Sequence, residues 1–205
     1  MGLAGSACYD NGVFELKGSG SDIWDTEDQF RFAHQTLIGN GEIVARVVDQ
    51  DATNQWNKVG IMARESLTPG SRHAFIALTS GNGAAFQDRT ITDGYSDNSN
   101  TGPGIKAPYW LKLKISGTTY TGYASPDGFN WTQIGSPVNA GFGNGIPIYA
   151  GLAITSHDNA LLSTAHIDNY NLSGALPLEL ISFTGSLRLD HRAELVRELV
   201  PERFP

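Results

Sequence analysis

Two antiparallel β-sheets packed face to face, in an all-β domain without helices in its core, are what this sequence predicts, and three observations carry the expectation. Twenty-four glycines among 205 residues, with 17% charged and 40% hydrophobic residues, suit short strands and tight turns better than helices. Apolar and polar residues alternate with period two over runs of strand length. Between those runs fall turn signals such as Asn82-Gly83 and Asp127-Gly128. The length fits one such domain and a short appendage.

In chain order, 42–48 reads as a strand, 49–54 as a polar turn and 58–64 as the returning strand. Residues 72–79 and 84–90 form a hairpin across Ser80-Gly81-Asn82-Gly83, because Asn-Gly tolerates positive φ. The polar stretch 93–108 cannot build a core and is expected as a long surface loop. Residues 110–115 and 119–125 pair across Ser116-Gly117-Thr118, with Leu111, Leu113 and Ile115 on one face and Trp110, Lys112 and Lys114 on the other. Residues 131–134, 149–155 and 162–172 complete roughly ten or eleven strands, the number a sandwich uses. The composition changes after Gly174: 176–183 reads as a linker entering a new strand, and 193–199 as a short charged helix. The expected division is therefore a sandwich over 1–174 and a linker or tail over 175–205.

A net charge of −7 and a pI near 5.1 leave no summed positive field for a phosphate backbone, so nucleic acid is excluded as a partner. Cys8 is the single cysteine, which rules out an internal disulfide and a paired-thiolate zinc site. No run of about 18 apolar residues is present, so insertion into a membrane is not expected. The first residues lack a charged start and a long apolar run, so any export signal is expected outside this sequence.

Several segments in order resemble a bacterial concanavalin A-like/laminin G-like jelly-roll family that carries a label referring to regulation of enolase. They are Ser21-Asp22-Ile23-Trp24, the stretches 41–47 and 56–67, Phe86-Gln87-Asp88-Arg89, the stretch 107–113, Asp127-Gly128, the stretch 151–157 and Ile167-Asp168-Asn169. The resemblance covers about residues 14–172 and implies a two-sheet antiparallel jelly-roll β-sandwich. It also implies an accessory module of a larger secreted or cell-surface protein, with a polysaccharide or other glycan and the parent chain's other domains as partners. Residues 176–183 are similar to the linker that precedes a type IX secretion sorting domain; beyond Gly185 the resemblance stops, and 186–205 is expected to be a truncated or appended sequence.

The resemblance makes glycoside hydrolysis the enzyme reading to weigh, and that chemistry needs two carboxylates about 5 to 9 Å apart. Before the tail the glutamates are Glu15, Glu27, Glu42 and Glu65, without the Glu-x-Asp-x-x-Glu strand of laminarinase-like enzymes. Asp49 and Asp51 read as a solvated turn. The five histidines are scattered, with neither His-Glu-x-x-His spacing nor a Gly-x-Ser-x-Gly turn. No catalytic residue is assigned, and no cofactor is required. A structural calcium is the one metal the resemblance admits, where the last strand near Asp168 meets the first.

Sugar recognition needs flat apolar surface for the pyranose C–H face and planar polar groups for its hydroxyls. In 58–64 the apolar Val59, Ile61 and Ala63 share one face, so Arg64 is expected to point away from the core. By the same alternation Gln87 and Arg89 share a face of the following hairpin strand, while Trp56 and Tyr95 flank that surface. The expected binding face is therefore Trp56, Arg64, Gln87, Arg89 and Tyr95. Trp24, Trp110 and Trp131 read as structural. The expected function is a non-catalytic carbohydrate-binding or adhesion module; the alternatives are a glycoside hydrolase-like enzyme on the same fold and a structural or protein-binding spacer.

Overall fold

The computed structural model describes residues 3–175 and is all-β, so the expected 175–205 tail lies outside the described residues except for Ala175. Its strands are β1 (Ser6–Asp10), β2 (Val13–Gly20), β3 (Ile23–Trp24), β4 (Glu27–Asp28), β5 (Arg31–Gln50), β6 (Lys58–Arg64) and β7 (His73–Thr79). They continue as β8 (Ala84–Arg89), β9 (Asp97–Asn100), β10 (Tyr109–Ser116), β11 (Thr119–Ser125), β12 (Thr132–Asn139), β13 (Ile148–Thr155) and β14 (Asp158–Ala175).

Two layers result, and β5 belongs to both. Its first part pairs with β13 from Ile148↔Leu37 to Ile154↔Arg31, and β6, β7, β8 and β9 follow in order. Its second part pairs with β10 on one side and β14 on the other, extending the second layer to β12 and to β2 and β1. The strand passes between layers at Gly39, whose φ of 79° lies in the region where a side chain is disfavoured.

Period-two alternation builds the core between the layers. Val59, Ile61 and Ala63 of β6, Ala74, Ile76 and Leu78 of β7, and Ala150, Leu152 and Ile154 of β13 meet Ile43, Ala45 and Val47 of β5 and Leu111, Leu113 and Ile115 of β10. Each of the larger side chains stabilises the fold by roughly 1.5–3 kcal/mol through burial.

A second, smaller apolar cluster lies on the opposite face of the β6–β7–β13 layer. Met62, Phe75, Ala77 and Ala153 are covered there by Ile23, with Phe30 and Phe32 against its edge. The cover is the chain between β2 and β5, containing the β3–β4 pair. Gly20 closes this segment on itself: its φ is 143°, and a Cβ there would lie 1.8 Å from the Gln29 carbonyl oxygen.

Three expectations change: the described residues form fourteen strands instead of roughly ten or eleven. The stretch 93–108 is not loop throughout, since Asp97–Asn100 adds a strand to β8, and β5 begins well before residue 42.

Candidate functional site

The outer face of the β5–β13–β6–β7–β8 layer carries the residues singled out for ligand binding, and the structure divides that face into a covered part and an open one. Under the cover, polar side chains of the sheet hold the 20–30 segment in place. Thr155 donates to the Gly20 or Gln29 carbonyl at 3.1 and 3.2 Å. Lys58 pairs with the Asp22 carboxylate and lies 3.4 Å from the Ile23 carbonyl oxygen. Burial lowers the Lys58 pKa, opposed by the attraction of Asp22.

At the other end of β6, Asp28 is fully buried between two guanidiniums. Arg89 donates to both its oxygens at 2.7 and 2.8 Å, and Arg64 donates to Oδ2 at 3.1 Å. Arg89 also reaches the carbonyls of Trp24, Asp25, Pro69, Ser71 and Gly94, so all three guanidinium nitrogens have acceptors. Two buried cations on one carboxylate leave a surplus positive charge, which these oriented carbonyl dipoles offset. His73 Nδ1 stands 3.5 Å from Asp28 Oδ2. Burial above all, with the two arginines, pushes the His73 pKa down to about 4 despite the pull of Asp28. Its imidazole is therefore neutral at neutral pH.

The expected binding residues are thus placed apart. Arg64 and Arg89 come together, as their shared face requires, but at 1% and 0% exposure they hold Asp28 instead of facing solvent. Gln87 is 1% exposed, and its side-chain oxygen is buried without a hydrogen-bond partner. Trp56 is half-buried beside Lys58, 6.0 Å from ring centroid to ammonium, at the opposite end of β6 from Arg64. Tyr95 is 80% exposed, next to the Gly94 carbonyl that Arg89 binds. Alternation places the arginines on the correct face; what it does not show is that residues 20–30 fold over that face.

The open part of the same face carries a row of rings that sequence reasoning passed over. Phe30, Phe32 and His34 follow one another with centroids 5.8 and 4.9 Å apart, and Tyr149 of β13 continues the row 5.1 Å from His34. Phe32 and His34 lie directly opposite Ala153 and Gly151, so the β13 partners of these two rings are small. His34 is exposed, while burial holds its pKa below the usual imidazole value, leaving a neutral ring that can stack and hydrogen-bond. The row borders a cleft of about 660 Å³ whose wall includes Phe30, Arg31, Phe32, Leu67 and Pro69. The period-two pattern Phe30-x-Phe32-x-His34 was the available signal.

At Asp168, where the resemblance admits a calcium, the carboxylate already has cationic and amide partners. Its carboxylate is engaged by Arg46, whose Nε donates at 2.8 Å while Nη2 pairs with the second oxygen, and Asn169 donates to it at 2.9 Å. Among the described residues no cluster of three or more His, Cys, Asp or Glu side chains is arranged to hold a metal.

The architecture is that of a two-sheet jelly-roll β-sandwich, and solved structures share it. A Saccharomyces cerevisiae protein of unknown function superposes with a TM-score of 0.65 at 18% identity, over 84% of this chain and 93% of that one. A GH43 protein of Bacillus licheniformis gives 0.54 at 12% identity over 83% of this chain and 38% of that one. A xylan β-1,4-xylosidase of Bacillus halodurans gives 0.53 at 14% identity, over 78% and 33%. At these identities the likeness shows the fold alone, and the chain spans less than two fifths of the two Bacillus proteins. No protein-family model and no curated protein matches the chain.

Proposed function

We propose that this chain is a non-catalytic carbohydrate-binding module of the jelly-roll family labelled by regulation of enolase, serving a larger secreted protein and engaging a glycan along the row Phe32–His34–Tyr149. The observation that carries the reading is the row itself: half-buried and exposed rings at near-regular spacing beside an open cleft, with Ala153 and Gly151 directly opposite Phe32 and His34. Such rings offer the C–H faces of successive sugars an apolar surface, while the neutral His34 imidazole supplies a polar contact. In its favour at the level of fold, a sandwich of this kind forms part of a xylan β-1,4-xylosidase.

Binding without hydrolysis is the form we favour. A hydrolase on this surface would need two carboxylates beside the sugar, one of them held protonated. Asp28 is closed off by two arginines. Asp88, raised to about 6 by burial and then by Asp97, shares the inward side of β8 with Phe86, not the side of the rings. Incubation with any bound glycan should therefore generate no new reducing ends; their accumulation with protein concentration would return the assignment to an enzyme.

A further inference from the structure

The outer face of the other layer carries a cationic side chain in an unusual setting. Among the described residues Arg31, Lys106, Lys112 and Lys114 have no ion-pair partner, and of these four only Lys112 is half-buried. Its ammonium sits 4.2 Å from the ring centroid of Trp131 and 5.1 Å from that of Tyr123. Strand register explains the arrangement: Lys112 is directly opposite Tyr123 on β11, whose other neighbour is Gln133 of β12. Trp110 precedes it on the same face of β10, with the Arg46 guanidinium 5.8 Å from its ring. Trp110 is also backed by the hairpin turn, since a Cβ on Gly128 would come within 2.9 Å of the indole.

The electrostatics are lopsided. Arg46 is neutralised by Asp168, and the Asp127 carboxylate is taken up within its own turn, where it accepts from the backbone N–H groups of Phe129 and Asn130. Glu42 lies opposite Lys114, one step along the face. Lys112 is left with two ring faces that attract its charge by roughly 0.5–2 kcal/mol while removing part of its water. An ammonium so placed gains from an anion more than a freely hydrated surface lysine does, because part of its desolvation has already occurred.

We propose that this face, centred on Lys112 between Trp110, Tyr123 and Trp131, is a second binding site, and that it takes an anionic sugar of an acidic polysaccharide. The rings receive the C–H face of the pyranose and Lys112 receives its carboxylate or sulfate. The site shares with the proposed function only the class of ligand; it lies on the opposite layer from the Phe32–Tyr149 row and can fail independently of it.

The test is titration of the protein with oligogalacturonate, oligomannuronate, dextran sulfate and neutral xylo-oligosaccharide, followed by indole fluorescence and calorimetry at two salt concentrations. Wild type should bind at least one anionic ligand, with affinity falling as salt rises. Lys112→Gln, which keeps much of the aliphatic stem, should weaken that binding at least tenfold and flatten its salt dependence without altering the melting temperature; Trp131→Ala should abolish it. Binding of uronate but not dextran sulfate identifies carboxylate as the recognised group, and the reverse identifies sulfate. Phe32→Ala should leave anionic binding intact. The proposal is overturned if wild type binds none of the three anionic ligands, or if Lys112→Gln binds them as wild type does.

Discussion

Asp28 decides the state of the outer sheet face. Among the described residues its carboxylate is the only anion held by Arg64 and Arg89, and removing it strands two buried guanidiniums. Asp28→Asn should cost about 3–5 kcal/mol, the range for breaking a buried pair, seen as a lower midpoint in urea denaturation; an unchanged midpoint would show that the cluster contributes nothing to stability. His73 gives the cluster a pH dependence. Its folded pKa, about 4, is below the unfolded value near 6.5, so between these values the unfolded chain binds the extra proton. This contribution to stability is therefore complete above pH ~6.5 and falls as pH drops towards ~4, by on the order of 3 kcal/mol. Denaturation midpoints measured across that window should fall with pH in wild type and less steeply in His73→Gln. These roles were only half legible in the sequence. Alternation assigns Arg64 and Arg89 to the face opposite Ile61 and Phe86, but a period says nothing about what covers that face. Asp28, in a stretch with no strand period of its own, gave no sign of being their partner.

At the scale of elements, the 20–30 segment behaves as a fixed cover whose latch points are Thr155, Lys58 and the Asp28 cluster. Gly20 makes its closure possible, and Gly20→Ala should destabilise the protein by roughly 1–3 kcal/mol through backbone strain and the clash with Gln29. Hydrogen exchange should then quicken within residues 21–30 more than in β6; uniform quickening would mean that the segment does not open as a unit. The hairpins with strong turn chemistry, β7–β8 and β10–β11, were readable with little error. β9 was missed because Asp97, Asn98, Ser99 and Asn100 have neither apolar alternation nor β-branched residues; pairing with β8 alone makes them a strand. The early half of β5 was missed because its apolar pattern, with Phe32 facing outwards and Leu37 inwards, changes layers at Gly39.

For the whole molecule, glycine content, alternation and turn spacing were enough to reach a two-sheet sandwich, because that pattern of half-buried strands has few other ways to close. The site was less legible, since the usable surface is set by which part of the sheet the chain itself covers, a long-range property. The cover leaves the β5–β13 edge open, and the proposed glycan-binding row lies there, away from the arginines. The most direct test is an array of neutral glycans, which excludes ligands of the Lys112 face, read with the folded protein beside Phe32→Ala, Tyr149→Ala and Trp56→Ala variants. Saturable binding by wild type and Trp56→Ala, lost in Phe32→Ala and Tyr149→Ala with melting temperatures still showing a folded protein, is the result predicted. Binding that survives both substitutions in the row, or a blank array for the intact wild-type protein, would contradict the account.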